Sequence, residues 1–191
     1  MKPIEFNETN DISKYLNGLI GQDNYIIVID GEAGAGKTTV AKNIALSLSA
    51  YHVEIDKYLD HNMGGYVRFI DHVNLRSGVM DALDKGEPLI IEGICVLEIM
   101  KEINLQYDIL VYVKRIGADG TWFFGYNFEN DKSPMDIKNE HARAEKLLNN
   151  LLPTLKNGGS NYTVQDEIID YHFKYKPHQI ANIIYKRIEE F

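Results

Sequence analysis

One cysteine, Cys95, is all that the chain contains, so no disulfide can form within it. That usage fits a reducing compartment. Basic residues are scarce as well: 20 Lys and Arg stand against 28 Asp and Glu, for a formal net charge of −8. Such a chain is repelled by phosphate backbones and anionic lipid, which excludes non-specific binding of nucleic acid or a membrane surface as its main task. No apolar run approaches the roughly 20 residues that a membrane span needs. The start, MKPIEFNETNDIS, lacks the basic residues followed by an apolar stretch that mark a secretory leader. There is no internal repeat, no low-complexity tract, and no histidine pair at a spacing that suits zinc. The chain is expected to be a cytoplasmic single domain with no membrane or nucleic-acid partner.

What is present is ample material for a core, with 45% hydrophobic residues in 191. The run YIIVID is short and continuously apolar, the pattern of a strand covered on both faces. YHVEI, PLIIEG, YDILVYVKR and IANIIY read as further strands. Helices are expected over Ile12–Leu19, Thr38–Ser49, Leu75–Lys85, Val96–Ile103 and Ser133–Lys156, and along the stripe Val164, Ile168, Tyr171, Tyr175, with Pro177 ending the last. A short basic helix is expected after the final strand. Strands alternating with helices imply a three-layer α/β fold with a mainly parallel sheet of about five strands. Residues 1–24 form a helical extension and about 117–160 a lid or helical region in this reading.

The stretch GEAGAGKT matches G-x-x-x-x-G-K-[ST], follows a predicted strand and opens a predicted helix. Small residues let the backbone wrap a phosphate, successive N–H groups point inward, and the helix adds its positive end. The expected cradle is Gly31, Glu32, Ala33, Gly34, Ala35, Gly36, Lys37, Thr38 and Thr39. Lys37 would reach the β- and γ-phosphates and Thr38 would offer a hydroxyl to Mg²⁺, with ATP as the nucleotide. The N-K-x-D signature of guanine-specific switches is missing.

Two carboxylates end the next strands, Asp56 in HVEIDKYL and Glu92 in PLIIEGICVL. In a parallel sheet the ligand crevice lies beyond those ends. Asp56 is placed to take a proton from a substrate hydroxyl or to hold Mg²⁺ through water, and Glu92 to assist metal or substrate. The bland reading makes Asp56 a helix cap and Glu92 a partner of a loop amide. Together IDGEAGAGKTT, VEIDKYL, FIDHVN and LIIEGICVL, across residues 25–115, resemble the uridine kinase and phosphoribulokinase group of P-loop kinases. The resemblance implies an ATP-dependent transfer to a hydroxyl, Asp56 as base, Glu92 near the metal, and Asp71 and His72 near the acceptor. Only one helix separates the DH and EGI motifs, where uridine kinases carry a long insertion.

Positive charge for the migrating phosphoryl group has few sources. Arg143 on the predicted helix is the first candidate for a lid arginine, and Arg115 at the end of VYVKR the second. Tyr58, Arg68, His72 and Arg76 are candidates for the acceptor pocket. His178, in the loop before the last strand, is placed by analogy with other P-loop kinases beside the nucleotide base. The aromatic stretch TWFFGYNF reads as a hydrophobic corner, a homodimer contact, or a flap hinged at Gly120 and Gly125. Two other readings remain open: a regulatory protein that hydrolyses ATP slowly, and a toxin-like phosphotransferase.

Overall fold

The computed structural model describes residues 2–19, 25–60, 65–125, 128, 132–151 and 163–189. In chain order its elements are β1 (Ile4–Phe6), α1 (Thr9–Leu19), β2 (Ile26–Gly31), α2 (Lys37–Leu48), β3 (Tyr51–Glu54), α3 (His72–Leu83), β4 (Leu89–Glu92), α4 (Val96–Glu102), β5 (Ile109–Ile116), α5 (Pro134–Leu151), α6 (Val164–Tyr175), α7 (Pro177–Ile180) and β6 (Ile183–Ile188). Short 3-10 turns cover Ile55–Tyr58 and Val67–Phe69. The strands form one sheet in the order β1-β6-β5-β2-β4-β3, with every pairing parallel.

The apolar run that opens at Tyr25 explains the centre of this sheet. Every residue of β2 is buried, and alternate side chains serve opposite layers. Ile27 and Ile29 pack with α1 and α2 through Ile12, Leu16, Val40 and Ile44. Val28 packs with α3, α4 and α6 through Leu75, Val79, Ile99 and Ile168. Each such fully buried aliphatic side chain contributes about 1.5–3 kcal/mol.

Several expectations are corrected. The sheet has six strands, because residues Ile4–Phe6 add an edge strand beside β6. The final segment is not helical: β6 runs through Lys186 and Arg187 to Ile188, in register with Lys114, Arg115 and Ile116. Pro177 opens the single turn α7 as well as following α6, since its ring suits a first helical turn. The lid region is described only in part; Tyr126 and residues 152–162 lie outside the described residues. Among the described residues no helix is long and apolar enough to cross a membrane.

Candidate active site

The strand β2 has β4 on one side and β5 on the other, so the chain turning off its C-terminal end meets the crevice between them. Gly31 makes that turn with φ 152°, and a Cβ there would sit 2.6 Å from the Val113 carbonyl oxygen. Gly36, at φ 95°, is the N-cap of α2, and a Cβ on it would meet the Arg187 Nη1 at 2.9 Å. Gly31 has no room for a side chain, and at Gly36 the left-handed φ disfavours one. Helix α2 begins at Lys37, with the unpaired amides of its first turn beside the loop.

Lys37 is 7% exposed, and its ammonium donates to the Glu32 carbonyl at 2.9 Å. Burial pushes its pKa down, against the pull of Asp30, Glu92, Asp56 and Glu32. All four carboxylates thus favour the charged form of this one cation. The Thr38 hydroxyl donates to Glu92 Oε1 at 2.8 Å. Burial raises the Glu92 pKa, opposed by the Thr38 hydrogen bond and by Lys37. Asp56 is exposed in the 3-10 turn after β3 and accepts the Tyr66 hydroxyl. Burial, with the Asp56 charge next to it, raises the Tyr66 pKa far above its ordinary value, so this phenol stays a donor.

Two contributors, Asp30 and Arg187, escape a reading of the sequence alone, and the expected cradle residue Glu32 takes an inward place that the sequence does not show. Asp30, the residue before the loop, is wholly buried; it accepts the Gly31 amide at 2.7 Å and the Tyr171 hydroxyl. Burial raises its pKa to about 6. A charged residue inside an apolar strand was the available signal. Glu32 turns inward, 5% exposed, and Trp122 Nε1 donates to it at 3.2 Å. Arg187 donates to the Gly34 carbonyl at 3.2 Å. It sits on the strand extension that the sequence suggests as helix.

Other candidates are employed elsewhere. Arg76 donates to the carbonyls of Ile103 and Asn104, capping the end of α4, and it borders a second cavity with His72 and Glu102. Replacing it with Ala is expected to cost on the order of 1 kcal/mol of stability, read by urea denaturation, with an unchanged acceptor KM. Tyr58 directs its hydroxyl against Gly78 of α3. His178 packs on Trp122 at 5.3 Å between ring centroids and on Tyr112 at 6.0 Å, inside an aromatic corner whose Trp122 bonds Glu32 of the loop and bridges Ile116 at the end of β5. That corner also takes Phe124, Phe128 and His172. Arg115 is held by Glu189 through Nε and Nη2, both at 2.7 Å. Arg143 is exposed on α5, with no hydrogen-bond or ion-pair partner among the described residues.

Arg68 and His72 do border a cavity. A cleft of about 460 Å³ is lined by them with Glu98, Glu167, Tyr171 and Lys174. Two tyrosines link it to Asp30, just before the loop, and to Asp56. Tyr171 lines it and bonds Asp30. Glu167 Oε2 accepts the Tyr66 amide at 2.6 Å, and Tyr66 bonds Asp56. His72 Nε2 lies 2.8 Å from the Val67 carbonyl oxygen, and Asp71 caps α3 by accepting the Asn74 amide at 3.0 Å.

No family model matches the chain, and no curated protein matches it by sequence. Solved structures do. A "possible uridine kinase" from Bacillus stearothermophilus is 12% identical, with a TM-score of 0.55, over 93% of this chain and 96% of that one. The chain shares the fold of that structure, a parallel α/β sheet with flanking helices. A protein provisionally assigned as a fructose transport system kinase, from Silicibacter sp. TM1040, is 11% identical with a TM-score of 0.48, over 94% of this chain and all of that one. The likeness to the Bacillus structure covers 93% of this chain, more than the motifs of residues 25–115 do.

Proposed function

We propose that the protein is a phosphotransferase that moves the γ-phosphoryl group of ATP to a hydroxyl of a small metabolite. The observation that carries this reading is the pairing of the Thr38 hydroxyl with Glu92 at 2.8 Å, beside a buried Lys37 that also faces Asp56. A loop that only held a nucleotide would not need a second carboxylate on the open, acceptor side.

The donor set fits Mg²⁺, a hard cation that keeps waters and phosphate oxygens and needs few protein ligands. Thr38 and Glu92 would hold it, and it would supply charge neutralisation between the phosphates. The chain's own residues do the rest. The loop amides and the first turn of α2 bind the phosphates. Lys37, released from the Glu32 carbonyl, places its charge on the transferring group. Asp56, oriented by Tyr66, accepts the proton of the acceptor hydroxyl as that oxygen attacks phosphorus and the bond to the leaving ADP breaks. The cleft by Arg68 and His72 takes the remainder of the acceptor.

The test is ATP consumption against a panel of nucleosides, sugars and other small alcohols. One compound is expected to stimulate it strongly. With that acceptor, Asp56→Asn is expected to lower kcat by about 10²–10⁴, the range supplied by a positioned general base, while ATP affinity measured by calorimetry stays unchanged. Slow hydrolysis that no alcohol accelerates and that Asp56→Asn leaves alone would replace this reading by a regulatory ATPase.

A further inference from the structure

Half-buried His178 packs among aromatic rings, and a more open aromatic surface lies beside the loop. Phe123 follows Trp122 just after β5 and is 51% exposed. One face of its ring is covered by the Arg115 guanidinium, 4.7 Å from the centroid. Its amide donates to the Arg115 carbonyl at 3.0 Å. Glu189 grips Arg115 in a fork and also accepts Arg187 Nη2 at 2.8 Å. Arg187 in turn donates to Gly34 of the phosphate loop. On the other flank, Trp122 donates to Glu32 of the same loop. The ring is thus tied to the loop from both ends through charge-assisted bonds.

We propose that Phe123, backed by Arg115, is the platform on which the base of the nucleoside triphosphate stacks. The inference rests on the phosphotransferase reading above. A rigid, half-open aromatic ring polarised by a guanidinium offers a planar base both stacking area and a cation–π partner. Topology supports the direction. Phe123, Arg115 and Arg187 belong to the β5–β6 side of β2, whereas Glu92 and Asp56 belong to the β4–β3 side. A nucleotide lying across the loop then has its base at one side and its γ-phosphate facing the acceptor cleft at the other. Stacking reads a flat face rather than a hydrogen-bond pattern, so the platform accepts any base and holds the larger purines best.

Calorimetry on the full chain without acceptor tests this. ATP and inorganic tripolyphosphate are titrated into wild type, Phe123→Ala and Phe123→Tyr. Phe123→Ala is expected to weaken ATP binding by roughly tenfold or more, as loss of one base–aromatic stack does. Tripolyphosphate affinity is expected to hold, and Phe123→Tyr to bind ATP like wild type. Unchanged ATP affinity in Phe123→Ala would overturn the platform and leave the phosphotransferase reading standing. An equal loss for ATP and tripolyphosphate would also overturn it, because the ring would then be acting through the loop. A wild-type chain that binds neither compound would remove the reading on which the platform rests.

Discussion

Lys37→Ala is expected to lower turnover by about 10²–10³, the cost of removing one donor aimed at developing charge, with the far-UV circular dichroism of the wild type. Lys37 is the cation that faces Asp30, Glu32, Asp56 and Glu92. When it is gone, those groups repel one another and any anion brought to the loop. The fold has ways to tolerate this. Burial already raises the Asp30, Glu32 and Glu92 pKa values, so these groups can take up protons rather than stay charged. Ala is also a good helix former at the first position of α2. The loop amides remain, so ATP affinity is expected to fall less than turnover. Lys37→Arg is expected to fail too, because a planar fork does not fit where a point charge is folded under the loop. Steady-state ATP consumption and calorimetry separate the two effects; wild-type turnover in Lys37→Ala would exclude phosphoryl transfer at this loop.

Acid is expected to unfold the protein early, and His172 is the reason. Its ring is buried, with Nδ1 2.7 Å from the Ile168 carbonyl oxygen and Nε2 2.7 Å from the Tyr112 hydroxyl. The neutral tautomer satisfies both, with Nδ1–H donating to the carbonyl and Nε2 accepting from the phenol. A second proton would displace that donor. Burial accordingly depresses the pKa from 6.5 to about 3. A depressed folded-state value means that the contribution is full above the unfolded pKa of 6.5 and is lost as pH falls toward 3. At about 1.4 kcal/mol per pH unit the loss is on the order of 4–5 kcal/mol. His178, depressed to about 4 by burial and by Lys114 and Lys176, acts in the same direction. Asp30 opposes them. Its pKa is raised from 3.8 to about 6, so its contribution is lost as pH rises through 6 and returns on acidification. Glu32 and Glu92, raised by burial, oppose them too; each of the two histidine shifts exceeds that of Asp30, and the expected slope follows the histidines. The urea midpoint is expected to drop steeply between pH 6.5 and 4.5. His172→Gln, which keeps a donor and an acceptor but cannot ionise, should flatten most of that slope. An unchanged slope would show that the aromatic corner is not the acid-sensitive element.

The two predictions draw on different levels of information. The tight turn of the glycine-rich loop between β2 and α2 was legible because its geometry is local: small residues at fixed spacing between a buried strand and a helix. The same holds for the strands β2, β4 and β5, whose apolar runs are dictated by burial on both faces, and for Asp56 and Glu92, which inherit their position from the strand ends. The aromatic corner was legible only as a cluster.

What tertiary structure alone decided is the company that these residues keep. Tyr171 reaches Asp30 across 141 residues and Arg187 reaches Gly34 across 153. Such contacts depend on which strands become neighbours and in what register, and no local pattern encodes that. The same distance effect sets the partners of the basic candidates. Arg76 meets the carbonyls at the end of α4, and Arg115 meets Glu189, the residue after β6. A basic side chain takes the nearest unsatisfied acceptor that folding brings to it, so its residue type announces a positive charge and only the fold determines which partner that charge meets.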